Sequence, residues 1–299
     1  MPLERHMNRR RFITLPRRSI LTIASVSLVA ACASALHPRP QAVRIGIAED
    51  AVMVKSGDEQ MRVDIYRPKQ SGSHPAAILL HGSNGIHSFA ASTANRYAAA
   101  LAEQGVITYV VHYFDGTGDW TASDSIETAH YFRWVKEVRD VISWAQVQKD
   151  VQPRRISIVG HSLGAWLAVG VGAMDTRVYR MVLFGSGLEP FLVDSIKRMP
   201  PTLLFHGEQD NVVPLSDVQH LQKFMQGHGF PVTLRIYPGQ EHTFGDSVAV
   251  DALTRTAGFV AAPRRRPAAA APSSTPARKD TTLKAPVRGP ARIDTITTP

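Results

Sequence analysis

Ile156-Ser157-Ile158-Val159-Gly160-His161-Ser162-Leu163-Gly164 is the stretch on which the reading of this chain turns. Four apolar-rich residues that read as a buried strand run into a Ser flanked at two residues' distance by Gly160 and Gly164, and an apolar helical pattern starts immediately after it. A Ser in so sharp a strand-to-helix turn occupies a strained backbone position, and side chains on its neighbours would collide, so the two glycines have a steric reason. The same turn puts the Leu163 N–H at a helix N-terminus, where it can face a developing negative charge. The small residues Ala165, Ala168, Gly170 and Gly172 are expected to let this helix approach the sheet closely.

Working outward, strand-like runs stand at 43–47, 62–66, 76–80, 106–111, 156–159, 178–184, 202–205 and 233–237. Helix-like segments fall at 90–103, 125–148, 163–174, 216–227 and 247–260. The first two runs are separated by a short polar stretch containing Ser56-Gly57-Asp58, which reads as a hairpin. Thereafter strands alternate with helices of ten or more residues, the pattern of βαβ units and a mainly parallel sheet. The expectation is one α/β domain over residues 42–262, with eight strands and helices on both faces.

In open parallel sheets functional groups gather where strands end. The junctions here carry His81-Gly82-Ser83-Asn84-Gly85, the Ser162 turn, His206-Gly207-Glu208-Gln209-Asp210-Asn211 and Gly239-Gln240-Glu241-His242. A Ser hydroxyl needs a base to become a nucleophile, and the base needs an orienting acid. His242 and Asp210 stand in the last two junctions, giving the chain order Ser, Asp, His that this arrangement requires. Glu208 is the rival acid, and Asp210 also has the look of an Asx-turn residue beside Asn211 and Pro214. For the oxyanion, the backbone N–H groups of Leu163 and Ser83 are the expected donors, with Asn84 as the alternative to Ser83. His81, His112, His161, His206 and His242 all fall near strand ends, yet no H-E-x-x-H or comparable ligand spacing is present, so neither metal nor cofactor is expected.

The elbow, the H-G-x-x-G turn at Gly82, the G-E-x-D-x-x-V-P run from Gly207 to Pro214 and the terminal G-x-x-H resemble the dienelactone hydrolase family of α/β hydrolases, over about residues 45–260. The resemblance implies an α/β-hydrolase fold and hydrolysis of an ester or lactone, a small-molecule substrate, through an acyl-enzyme. The family's namesake enzymes use a Cys nucleophile, whereas this chain has Ser162 there, which points away from dienelactone itself as substrate. Many relatives insert a cap after the sixth strand; here only about fifteen residues separate Gly185 from Pro201, so no large cap is expected. The rim is expected in the loop after the fourth strand, with Tyr113, Phe114 and Trp120 either packing on substrate or covering the core. A peptidase of the prolyl-oligopeptidase type and a non-catalytic binding module on the same fold are the competing readings. Those peptidase relatives usually carry a large N-terminal gating domain, which is not expected here, and the complete Ser, Asp and His set speaks against the binding module.

Charge and cysteine assign the ends. The 299 residues carry a formal charge of +9, which over a fold would suggest an anionic partner. Residues 1–31 hold six Arg against Glu4, and residues 263–299 hold eight basic residues against Asp280 and Asp294. That leaves about −2 on residues 32–262, and a nucleic-acid-binding body is not expected. The N-terminal end reads as an export signal: Arg9-Arg10-Arg11 and Arg17-Arg18 both resemble the twin-arginine motif, and an apolar run at 20–31 follows, too short for a comfortable membrane span. Leu28-Val29-Ala30-Ala31-Cys32 looks like a lipobox, and Cys32 is the chain's one cysteine. Lipidation of Cys32 would attach the protein to a bacterial envelope membrane; the alternatives are an ordinary cleaved signal with an incidental Cys, giving a secreted protein, and an uncleaved anchor extending to Leu36. Residues 32–41 then form a linker. Residues 263–299, with seven of the 20 prolines and no apolar period, read as a disordered tail.

Overall fold

Strand β3 (His74–Leu80) and strand β4 (Ile107–Val111) are buried on both faces, as only strands sandwiched between helices can be. They form the centre of an eight-stranded sheet in a computed structural model that describes residues 48, 50–86 and 89–263. The remaining strands are β1 (Asp50–Ser56), β2 (Glu59–Tyr66), β5 (Val151–His161), β6 (Val178–Phe184), β7 (Thr202–Gly207) and β8 (Val232–Tyr237). The order across the sheet is β1-β2-β4-β3-β5-β6-β7-β8. β1 and β2 run antiparallel to their neighbours, and all pairs from β4 to β8 are parallel. The alternation of strands and helices predicts this mainly parallel α/β sheet, and its order is the α/β-hydrolase architecture that the family resemblance implies.

Helices α1 (Phe89–Glu103) and α5 (Asp246–Ala261) pack on one face, where Leu101, Ala252 and Val260 meet Val159, Phe184 and Phe205. Helices α2 (Asp124–Gln146), α3 (Leu163–Met174) and α4 (Leu215–Gly227) cover the other, with Trp134, Leu167 and Leu221 against Ile78, Leu80 and Ile158. Successive strand residues feed opposite clusters, the two-residue period of an extended chain. Between β6 and β7 stands a single 3₁₀ turn, Pro190–Ser195.

Three features differ from the sequence reading. The hairpin turn lies at Gly57, but its first arm is Asp50–Ser56, the stretch taken as a polar connection. β1 is an edge strand, exposed along most of its length, although it carries the apolar run Ala51-Val52-Met53-Val54. β5 begins at Val151 rather than 156, since its first residues are polar and partly exposed. Gly170 makes room for a neighbouring helix rather than the sheet: a Cβ there would lie 2.5 Å from the hydroxyl of Tyr131 on α2. The run 43–47, the Arg pairs, the apolar run, Cys32, the linker and the tail lie outside the described residues.

Candidate active site

The sheet delivers Ser162 between the end of β5 and the start of α3, with φ 53° and ψ −125°. It is the one non-glycine residue with positive φ among those described, a conformation that costs of order 1–3 kcal/mol and persists only where the surroundings enforce it. Two backbone hydrogen bonds do so: the Ser162 N–H donates to the Phe184 carbonyl on β6 at 2.8 Å, and the Ser162 carbonyl accepts from Ala165 at 2.8 Å. The flanking glycines are sterically required. A Cβ on Gly160 would run into the Gly164 carbonyl, and one on Gly164 would lie 2.5 Å from the carbonyl oxygens of both Leu80 and His81. The helix therefore begins in direct contact with the end of β3.

Asp210 and His242 come from the loops after β7 and β8. The His242 Nδ1–H donates to Asp210 Oδ2 at 2.8 Å, which leaves Nε2 as the nitrogen with a free lone pair. Asp210 is 1% exposed and His242 16%. Burial alone would raise the Asp210 carboxyl; the hydrogen bonds from His242 and from the Val213 and Val212 amides outweigh it and hold it below the ordinary carboxylate value. Asp210 is at once an Asx-turn residue and the partner of the histidine. Its Oδ1 accepts both amide bonds at 2.9 Å, and its Oδ2 takes the imidazole. The rival acid Glu208 is occupied elsewhere, accepting the Gly239 N–H at 3.1 Å. Gly185, at φ 58°, figures in the sequence only as the start of the short segment before Pro201, although it belongs to the site. A Cβ there would press to 2.9 Å from the His242 ring, so glycine at the end of β6 makes space for the His–Asp pair. A Gly directly after a buried strand beside the elbow strand was the available signal.

The other strand-end histidines are held in structural roles. His161 Nε2–H donates to the His242 carbonyl at 3.4 Å, and burial together with the nearby His242 pushes the imidazole down to about 4, so it is neutral at pH 7. His206 is fully buried and donates to the Val213 carbonyl at 3.0 Å, buttressing the Asp210 turn; burial lowers its pKa as well. The His81 ring stacks on Tyr113 at 4.1 Å, and the Tyr113 hydroxyl donates to the His81 carbonyl at 2.7 Å. His112 pairs with Asp64 at 3.0 Å. Among the described residues no group of three or more His, Cys, Asp or Glu side chains is placed to hold a metal ion.

Ser83 and Ser162 line the same cavity, and Leu163 follows Ser162 as the first residue of α3. Ser83 lies in the turn closed by the Gly85 N–H on the Gly82 carbonyl at 3.0 Å, and its own carbonyl is engaged by the Ala122 N–H at 2.8 Å. Ser83, Asn84, Ser162 and His242 line one cavity of about 320 Å³. Its remaining walls correct the expectation about the rim. Tyr113 and Phe114 are 0% and 4% exposed and pack against His81 and Trp134, so they belong to the core. Trp120 is 70% exposed, and none of the three lines the cavity. The walls are instead Ala94 and Tyr97 of α1, Phe184 of β6, Val212, Phe244 and Ala249 of α5. In the sequence Tyr97 and Ala249 look like ordinary inward-facing helix residues; only the spacing of Val212 and Phe244, each two residues beyond a candidate catalytic group, could have drawn attention.

Fold and site together define an α/β hydrolase. Residues 61–257 match the dienelactone hydrolase family, and the chain belongs to that family. It is a hydrolase of the ester and lactone class. A Bradyrhizobium protein described as a probable 2-oxo-3-(5-oxofuran-2-ylidene)propanoate lactonase is 24% identical over 215 residues, covering 66% of this chain and 84% of the relative. Among solved structures, a dienelactone hydrolase-like promiscuous phosphotriesterase from metagenomic libraries superposes with a TM-score of 0.59 at 15% identity, over 71% of this chain and 96% of that one. Esterase 2 of Thermogutta terrifontis gives a TM-score of 0.58 at 19% identity, over 73% and 98%.

Proposed function

We propose that this protein is a serine hydrolase that cleaves carboxylic esters or lactones through an acyl-enzyme on Ser162. The observation that carries the reading is the strained Ser162 at the head of α3, sharing a cavity with a histidine whose far nitrogen is bonded to a buried carboxylate. In the first half-reaction Ser162 Oγ attacks the carbonyl carbon and its proton passes to His242 Nε2. The negative oxygen that forms is held by the N–H groups of Leu163 and Ser83. Collapse breaks the bond to the leaving oxygen, which takes the proton from His242 and departs as the alcohol, or stays tethered if the substrate is a lactone. A water then attacks the acyl carbon, giving a proton to His242, and the acyl–Ser162 bond breaks as Oγ recovers that proton. The net change is ester plus water to acid plus alcohol. Asp210 keeps the imidazole in the tautomer and orientation that both halves need.

The experiment is hydrolysis of short p-nitrophenyl esters and labelling by a fluorophosphonate probe, in the wild type and in Ser162→Ala. Loss of both activities in a folded variant is expected; undiminished turnover would refute the assignment. A panel of peptide substrates beside the esters distinguishes esterase from peptidase.

We further propose that the mature protein is an envelope lipoprotein anchored at Cys32, on the strength of the arginine pairs, the apolar run and the lipobox-like Leu28–Cys32 sequence. Radiolabelled palmitate incorporation into the wild type but not into Cys32→Ala, with the variant moving to the soluble fraction, is the expected outcome.

A further inference from the structure

The cavity beside Ser162 is apolar on the side away from the polar groups. Tyr97, Phe184 and Phe244 form an aromatic wall, with ring centroids 5.6 Å apart for Tyr97–Phe184 and 6.0 Å for Phe184–Phe244. Val159 contributes the sheet face, and Ala94 and Ala249 leave room because their side chains are small. The Tyr97 hydroxyl reaches the Ala249 carbonyl at 3.5 Å, tying α1 to α5 across the cavity. No Lys or Arg lines it among the described residues, and the sequence over 81–95 contains none. Arg96, the next cation along α1, pairs with Asp246 at 3.7 Å instead. Among the described residues, the one histidine in the lining besides His242 and the stacked His81 is His161, which is neutral at pH 7.

We infer that this cavity is an acyl pocket for an uncharged, apolar acyl chain of limited length, with Tyr97 and Ala249 setting its depth, and that esters bearing a carboxylate on the acyl group are rejected. The inference rests on the reading of Ser162 as nucleophile and deepens it. The acyl group is the part that stays bonded to Ser162 between the two half-reactions, so it is the part that profits from a pocket tied shut between two helices. A carboxylate entering there would lose its water without meeting a cation, the costliest kind of burial. At about 320 Å³ the cavity stands at the small end of ligand pockets, so gains from chain length end early.

The test is kcat/KM for p-nitrophenyl esters from acetyl to dodecanoyl, for the same acyl lengths ending in a carboxylate, and for acetate esters of alcohols of increasing length. The same acyl series is run on Ala249→Phe and Tyr97→Ala, with fluorophosphonate labelling of every protein. Expected is a rise of roughly fourfold per methylene while the pocket fills, then a fall, and carboxylated esters at least roughly 100-fold below their methyl-ended counterparts. The hexanoyl-to-acetyl ratio should drop roughly tenfold or more in Ala249→Phe, and the optimum should move to longer chains in Tyr97→Ala. A labelled, active enzyme with a flat acyl profile overturns the pocket alone. So does a length dependence confined to the alcohol series, a preference for carboxylated esters, or ratios unchanged in both variants. A wild type that is neither labelled nor active on any ester overturns the reading of Ser162, and the pocket with it.

Discussion

Replacing Gly164 by Ala isolates the geometry of the elbow from its stability. The added Cβ would lie 2.5 Å from the carbonyl oxygens of Leu80 and His81 and 2.6 Å from the Leu80 carbonyl carbon. These are backbone atoms at the end of a central strand and cannot swing aside. To restore even 3.0 Å, α3 and β3 must separate by about half an ångström, and ordinary contact requires nearly twice that. The displacement falls between Ser162 and the Ser83 turn that follows β3, the two sides of the proposed oxyanion position. Misplacement on the scale of 1 Å costs about 100-fold in rate, so a 10- to 100-fold loss of kcat is expected, about 1.4–2.7 kcal/mol in the barrier.

Overpacking alone costs about 1–3 kcal/mol of stability, offset in part by the better helix propensity of Ala, about 1 kcal/mol. Gly170→Ala is the control. It lies on the same helix and its Cβ would also meet an atom at 2.5 Å, but that atom is the hydroxyl of a side chain, Tyr131, on the far side of α3 from the reaction. Its stability cost should be comparable, read by urea denaturation, while kcat/KM for p-nitrophenyl butyrate stays within about threefold of the wild type. If Gly164→Ala keeps full activity, or both variants lose activity in proportion to stability, the steric account of the elbow is wrong.

Asp210→Asn preserves shape and the Oδ1 amide bonds but removes the charge that fixes the His242 tautomer; kcat should fall roughly 10³- to 10⁴-fold with a melting temperature close to that of the wild type. Burial pushes the Glu137 carboxyl up to about 7 from its ordinary 4.5, against the pull of Arg133. The native state therefore keeps a proton that the unfolded chain releases near pH 4.5, and stability falls as pH rises from there to about 7. At about 1.4 kcal/mol per pH unit, the loss is roughly 3 kcal/mol. Glu137→Gln should remove that slope, matching the wild type near pH 4.5 and exceeding it at pH 8 in urea unfolding. Trp120→Ala should leave kcat/KM within about threefold of the wild type, because the side chain stands outside the cavity, whereas Tyr113→Ala should cost about 3–5 kcal/mol of stability as a core truncation.

The parts of this protein that could be read from its sequence are those in which local sterics dictate residue type. Gly160 is fixed by the Gly164 backbone four residues away, so that part of the elbow is announced locally, whereas Gly164 is fixed by the Leu80 and His81 carbonyls at the end of β3 and was legible only through its spacing from Ser162. Asp210 was visible in both of its roles because each of its oxygens serves one of them. The rim could not be read, because the exposure of an aromatic residue depends on what folds over it: Tyr113 is covered by His81 and Trp134, distant in sequence, while Trp120, seven residues on, is covered by little. The pocket wall was hidden for a related reason. Tyr97 and Ala249 follow the apolar period of α1 and α5, and nothing local separates an inward residue that faces a sheet from one that faces a void.

The division of labour between the two faces of the sheet bears on how such an enzyme can change. The proposed nucleophile, Ser162, and its geometry belong to the head of α3, which packs with α2 and α4 on one face; the helical walls of the cavity belong to α1 and α5 on the other. Substitutions at Ala94, Tyr97 or Ala249 therefore reshape what is bound without touching the contacts that strain Ser162. Substrate preference can drift under selection while the reactive turn is inherited intact, which makes this face of the molecule the natural target for directed evolution.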